Sequence, residues 1–222
     1  MLSCVIIPTF NESKAIGGLI RQIHKLGHKV IIIDDGSIDE TASIALDCQA
    51  EVLRNSKNLG KGASLIKGYN FAIAQGFDTL ITMDGDGQHA SADIPAFIER
   101  AQNSACVIIV GNRMAMTKGM PFLRILTNRF MSGFISLLTK QYIPDTQCGF
   151  RLIKKEVFTK INLSTSKYET ESELLIRAAH LGFKIESIPV RTIYSGEKSQ
   201  INPLVDTLRF LRLIFKEFTR KL

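Results

Sequence analysis

Four short apolar runs, Cys4 to Ile7, Lys29 to Ile33, Thr79 to Met83 and Cys106 to Val110, recur along the chain with segments of helical length between them. The runs are continuously apolar rather than alternating, so strands formed there must be covered on both faces. Helical periodicity falls at Ala15 to Leu26, Glu40 to Cys48, Lys61 to Gln75 and Ala92 to Gln102. A succession of strand, helix and strand predicts an α/β fold, with a mostly parallel central sheet flanked by helices on both faces. Ligands bind such sheets beyond the carboxyl ends of the strands, so the residues just after each run carry the functional expectation.

The 222 residues are 45% hydrophobic, ample for a substantial core, and no linker, repeat or charge block divides them, so one domain over residues 1–222 is expected. Cys4, Cys48, Cys106 and Cys148 are too widely spaced for a zinc pattern, and nothing at the N-terminus reads as a signal peptide, which points to a reducing cytoplasmic setting. Arg124, Asn128 and Arg129 interrupt the apolar-rich stretch Met120 to Thr139, which argues against a membrane-spanning helix and for a soluble or peripheral protein. The formal charge of +7 favours an anionic partner: a nucleotide, a lipid phosphate, a membrane surface or nucleic acid. Nucleic acid is disfavoured because no interleaved aromatic and basic pattern offers a surface for stacking bases.

Chemistry concentrates at the strand ends. Asp84-Gly85-Asp86-Gly87-Gln88 follows the third run, two carboxylates and an amide with little steric cover. These are hard oxygen ligands suited to Mg²⁺ or Mn²⁺, whose shell substrate phosphates and water then complete. An Asp-Gly-Asp-Gly string is equally an ordinary turn. Pro8-Thr9-Phe10-Asn11-Glu12 follows the first run; Asp34-Asp35-Gly36-Ser37, with Asp39 and Thr41, follows the second. Asp39 reads as a helix cap or first-turn acid. Asp34 and Asp35 crowd one strand end, so one of them is expected to have a ligand or cation. Asn58-Leu59-Gly60-Lys61-Gly62 opens a helix whose N–H groups and Lys61 suit an anion, though helix packing explains its glycines as well.

Pro8 to Glu12, Asp34 to Ser37, Asn58 to Gly62, Asp84 to Gln88 and Asp145 to Arg151, in this order and spacing, resemble the family 2 glycosyltransferases of the GT-A fold, and within them the polyprenyl-phosphate, dolichyl-phosphate-type hexosyltransferases. The likeness runs from Ser3 to about Ser199. It implies transfer of a hexose from a UDP- or GDP-sugar, with inversion and a Mg²⁺ or Mn²⁺ ion, to a polyprenyl phosphate at the cytoplasmic face of the cell membrane. It further implies that Pro8, Phe10, Glu12, Ile33 and Asp35 hold the nucleoside, Asp84, Gly85 and Asp86 the metal and diphosphate, and Gln88 the metal. Arg113 matches a donor-side arginine, and Arg191 and Lys198 are alternative clamps on the diphosphate, because the segment Tyr194 to Lys198 departs from the family pattern. Asp145 matches the position of a catalytic base or acceptor orienter, with Glu169 or Glu171 in reserve, and Arg151 is a partner for either the acceptor anion or Asp145.

The nature of the acceptor decides what Asp145 must do. A sugar hydroxyl needs a base, whereas a lipid phosphate is already ionised near neutral pH. At the C-terminus, Leu204, Leu208, Leu211, Phe215, Phe218 and Leu222 recur at helical spacing beside a basic stripe of Arg209, Arg212, Lys216 and Arg220. This predicts an amphipathic basic helix over about residues 203–222, suited either to an anionic bilayer or to packing on its own domain. Transfer to a saccharide hydroxyl in surface-polysaccharide assembly, and a non-catalytic basic module binding membrane or nucleic acid, are the alternatives.

Overall fold

The computed structural model describes residues 2–193, 209–215 and 217. Seven strands form one sheet: β1 (Ser3–Thr9), β2 (Lys29–Asp34), β3 (Glu51–Arg54), β4 (Thr79–Thr82), β5 (Ile108–Asn112), β6 (Arg151–Lys154) and β7 (Ile185–Pro189). Their order is β3-β2-β1-β4-β6-β5-β7. The helices are α1 (Ile16–Lys25), α2 (Thr41–Asp47), α3 (Lys61–Ala74), α4 (Ile94–Asn103), α5 (Phe122–Thr139) and α6 (Thr170–His180). The expected mixed architecture and mostly parallel sheet are present, and the four apolar runs became β1, β2, β4 and β5 with ends shifted by up to two residues.

Helix α3 lies so close to β1 and β2 that a Cβ on Gly68 would come within 2.5 Å of Ile6 and 3.2 Å of Ile33. Ile6, Ile31, Ile32 and Ile33 are accordingly buried, the hydrophobic term that fixes this half of the sheet.

Strand β6 runs antiparallel to both β4 and β5. The parallel strands β1, β2, β4 and β5 end along one edge of the sheet; β6 begins there, with Arg151 opposite Thr82. Reversal of that one strand carries the segment Asp145 to Phe150 to the edge where Asp84 emerges, and Thr82 Oγ1 donates to Gly149 O at 2.7 Å.

Residues 209–215 are helical, and the face they bury is not the apolar stripe named from the sequence. Phe210, Leu213 and Ile214 are buried, and Glu217 pairs with Arg177 of α6 at 3.0 Å. Leu211 and Phe215 are 50% and 70% exposed beside exposed Arg209 and Arg212. The other positions of the expected stripes lie outside the described residues. Among the described residues no helix is long and apolar enough to cross a membrane.

Candidate active site

The loops after β1 and β2 are buttoned together by hydrogen bonds. Asn11 N–H donates to Ser37 Oγ, Ile38 N–H to Asn11 Oδ1, Glu12 N–H to Thr41 Oγ1 and Ser13 N–H to Asp39 Oδ2. Asp39 also accepts from the Thr41 N–H, the helix-start role expected of it. Asp34 and Asp35 are both buried and satisfied from within. Asp34 takes the Ser37 N–H and an ion pair with Arg54 at 3.0 Å. Asp35 accepts from Asn55 Nδ2 and from the N–H groups of Leu59 and Gly60, at 2.7 to 2.9 Å. Asp35 thus takes the two N–H groups just before α3, while the Ala63 N–H of its first turn donates to Ser166 O. The expected cation exists, but it is Arg54 and it belongs to Asp34.

The loop after β4 is built differently. Gly87 takes a φ of 71°, which turns the chain, and Asp86 Oδ1 accepts the Gln88 N–H at 3.0 Å. The Asp84 carboxylate lies across the face of Gly149, where any Cβ would approach to 2.6 Å. Asp84 Oδ1 meets Lys61 Nζ at 2.6 Å, and the same ammonium meets Glu171 Oε2 at 3.0 Å. Burial alone would discharge Lys61, but the two carboxylates outweigh it and hold the amine protonated beyond its ordinary range. Burial also pushes the Asp84 carboxyl up; Lys61 more than offsets this, and the net shift is downward.

Buried His89 accepts the Asp84 N–H on Nδ1 at 3.2 Å, so its proton sits on Nε2, 3.9 Å from Asp84 Oδ2 and from Cys148 Sγ. Burial pulls its pKa down to about 4, which keeps the ring neutral near pH 7.

Arg113, at the end of β5, is 5% exposed and forks onto fully buried Asp145, Nε to Oδ2 at 2.7 Å and Nη2 to Oδ1 at 2.9 Å. The Arg113 N–H adds a third bond to Oδ2 at 3.1 Å. Such a bidentate pair is rigid as well as strong.

The donors Asp84, Asp86 and Gln88 suit a divalent cation. Asp84 Oδ1 is at Lys61, and Asp84, Asp86 and Gln88 are all partly exposed, so their side-chain oxygens are the candidate ligands for the ion. Two or three protein oxygens make an incomplete shell, the kind Mg²⁺ completes with phosphate and water. Among the described residues no group of three or more His, Cys, Asp or Glu side chains forms a closed cage.

The model of the family described as glycosyl transferase family 2 matches residues 4–161. The chain belongs to that family. It is 31% identical, over 86% of its own length and 85% of the relative's, to the UDP-N-acetylglucosamine–dolichyl-phosphate N-acetylglucosaminyltransferase of Methanococcus voltae. Polyprenol monophosphomannose synthase of Mycolicibacterium smegmatis is 26% identical over 84% of this chain and 75% of that one. Among solved structures, glucosyl-3-phosphoglycerate synthase of Mycobacterium tuberculosis, with Mn²⁺ and UDP-glucose, has a similar fold. The TM-score is 0.77 at 18% identity, covering 97% of this chain and 78% of that one.

In this family 2 glycosyltransferase, Asp84, Gly85, Asp86 and Gln88 share one loop, and Gly149 against Asp84 brings the segment holding Asp145 beside it. Pro8, Phe10 and Glu12 are partly exposed at the end of β1. Other expected residues sit differently. Ile33 is wholly buried against α3, because its position in β2 turns it into the core, so its side chain cannot touch a nucleoside. Asp35 spends its carboxylate on three internal donors. Arg191 is exposed and forks onto Asp93. Lys198 lies outside the described residues; the chain approaches it from Ile193, whose N–H donates to Gln88 O at 2.9 Å. Arg151 is spent on the carbonyls of Thr146, Cys148 and Glu171 rather than on Asp145. His89, and the bridging of Asp84 to Glu171 by Lys61, had no signal in the sequence, since helix α3 brings Lys61 to them from more than twenty residues upstream.

Proposed function

We propose that this enzyme transfers a hexose, with inversion, from a UDP- or GDP-hexose to a polyprenyl phosphate, using Mg²⁺ or Mn²⁺. The observation that carries the choice of acceptor is the state of Asp145: both of its oxygens are taken by Arg113, through three donors. Fully buried and forked onto Arg113, the carboxylate presents no exposed oxygen to an acceptor hydroxyl. An acceptor that arrives already ionised needs no base, and a phosphate monoester does so near neutral pH. Of the two reserve candidates, Glu169 and Glu171, Glu171 has its Oε2 against Lys61 at 3.0 Å. The named relatives that act on dolichyl or polyprenyl phosphates support the same reading.

Within this mechanism Asp84, Asp86 and Gln88 would hold the metal, which would supply positive charge to the departing diphosphate. Lys61 keeps Asp84 ionised and pinned against Gly149, which sets the position of the metal loop. Asp145 acts as a positioning residue that fixes Arg113 at the end of β5. Pro8, Phe10 and Glu12 border the nucleoside, and Lys198 remains the proposed clamp on the diphosphate.

Release of nucleoside diphosphate from a panel of UDP- and GDP-sugars, with Mn²⁺ or Mg²⁺, tests the proposal. Release stimulated by a short-chain polyprenyl phosphate, and lost on chelation, is the expected result. Stimulation by simple sugars alone would overturn the lipid acceptor and return Asp145 to the role of base.

A further inference from the structure

Helix α5 has its amphipathicity reversed for a helix facing water. Its buried residues are Asn128, Ser132, Ile135 and Thr139, three of them polar. Its outer face carries Phe122, Leu123, Leu126, Phe130, Phe134 and Leu137, with exposures of 79, 72, 55, 69, 37 and 76%. At about 100° per residue these six fall within an arc of about 120°, and the buried set lies on the opposite side. A contiguous apolar stripe of this length marks an interaction surface.

We propose that this outer face of α5 seats the enzyme on an anionic lipid bilayer. Charge selects that occupant. No Asp or Glu occurs from Arg100 to Pro144, while Lys118 and Lys140 bracket the helix and Arg129 sits exposed at the edge of the stripe. A second copy of the chain, meeting this face symmetrically, would bring the same cations together without an acid to pair them. Anionic headgroups pair them instead, each lysine or arginine near the surface strengthening partition about fivefold. The helix at residues 209–215, tied to α6 through the Arg177–Glu217 pair, also exposes Leu211, Phe215, Arg209 and Arg212.

The seat also has a place in the reaction. Ser132 Oγ, on the inner face of α5, accepts the Thr146 N–H at 2.9 Å, next to Asp145. The lipid-facing stripe is therefore only about one helix diameter, 10–12 Å, from the loop that positions Arg113. Amphipathic helices sink about 5–10 Å into the headgroup region. A bilayer on α5 thus presents phosphates at the depth of the site. This last step rests on the proposed lipid acceptor; the seat itself does not.

The chain contains no tryptophan, so Phe130→Trp reports on α5 alone. With vesicles of phosphatidylcholine and phosphatidylglycerol, its emission is expected to shift to the blue and become shielded from acrylamide, with binding at least about tenfold weaker to phosphatidylcholine alone. Leu126→Ser with Phe134→Ser is expected to lower vesicle partition about tenfold or more, and to leave metal-dependent binding of nucleoside diphosphate unchanged. Emission unmoved by vesicles would overturn the proposal. So would emission already blue without them, with sedimentation then separating a second copy from a covering segment of the same chain. Vesicle binding with transfer only to sugars would leave the seat standing and remove the lipid acceptor. Transfer to a soluble short-chain polyprenyl phosphate without vesicle binding would do the reverse.

Discussion

Asp34 and Asp35 at the end of β2, and Asp84 and Asp86 after β4, are two pairs of acids at strand ends on the two sides of β1, each beside a glycine turn. The first pair is turned inward, with Asp35 taking the Leu59 and Gly60 N–H groups just before α3 and Asp34 taking Arg54. The second pair is divided. Asp84 is bound to Lys61 against Gly149, and Asp86 faces the partly exposed loop with Gln88. Acids at a strand end are thus not by themselves a binding site; what separates the pairs is that Asp34 and Asp35 are buried whereas Asp84 and Asp86 stay partly exposed.

The largest effect should come from Lys61→Met, which leaves Asp84 and Glu171 facing each other without their bridging cation. A loss of about 3–5 kcal/mol in urea unfolding is expected. The same variant carries a pH signature. The Asp84 carboxyl is depressed in the folded protein, so its stabilisation is present above its ordinary range near pH 4 and lost as the pH falls through the depressed value. Removing Lys61 should move that acid limb to higher pH.

Asp35→Ala should follow, at about 3 kcal/mol, because three buried donors lose their acceptor at about 1 kcal/mol each. Asp86→Ala should show the opposite profile. Its stability is expected to stay within about 0.5 kcal/mol of the parent, while transfer falls about a hundredfold, near 2.7 kcal/mol. If Asp35→Ala abolished transfer in a protein of unchanged stability, the division between the pairs would fail. Asp34→Asn should be the mildest, about 1 kcal/mol or less, because Arg54 is 58% exposed and the Ser37 bond survives.

The legible strands were those buried on both faces. β1, β2, β4 and β5 announce themselves as apolar runs, whereas β3 and β7 are partly exposed edge strands, and β6 has only Leu152 and Ile153 between Arg151 and Lys154. A strand as short as β6 is made by its two neighbours, and its antiparallel sense could not be read from periodicity. In the site, the spacing of Asp84, Asp86 and Gln88 reads directly because they share one loop. The fork between Arg113 and Asp145 joins residues 32 positions apart, and it could be named only as two separate candidates.

Local sequence determined the elements and the chemistry each strand end carries, since both follow from periodicity and side-chain type over a few residues. It also determined that α5 and the terminal helix are amphipathic. Which face of each turns inward was decided by the tertiary structure: α5 buries Asn128 and Ser132 against the Thr146 loop, and the terminal helix buries Phe210 and Leu213 while exposing Leu211. The same holds for the acids, because a carboxylate's role depends on the donors and cations that distant segments bring to it, and those distances are absent from the order of residues.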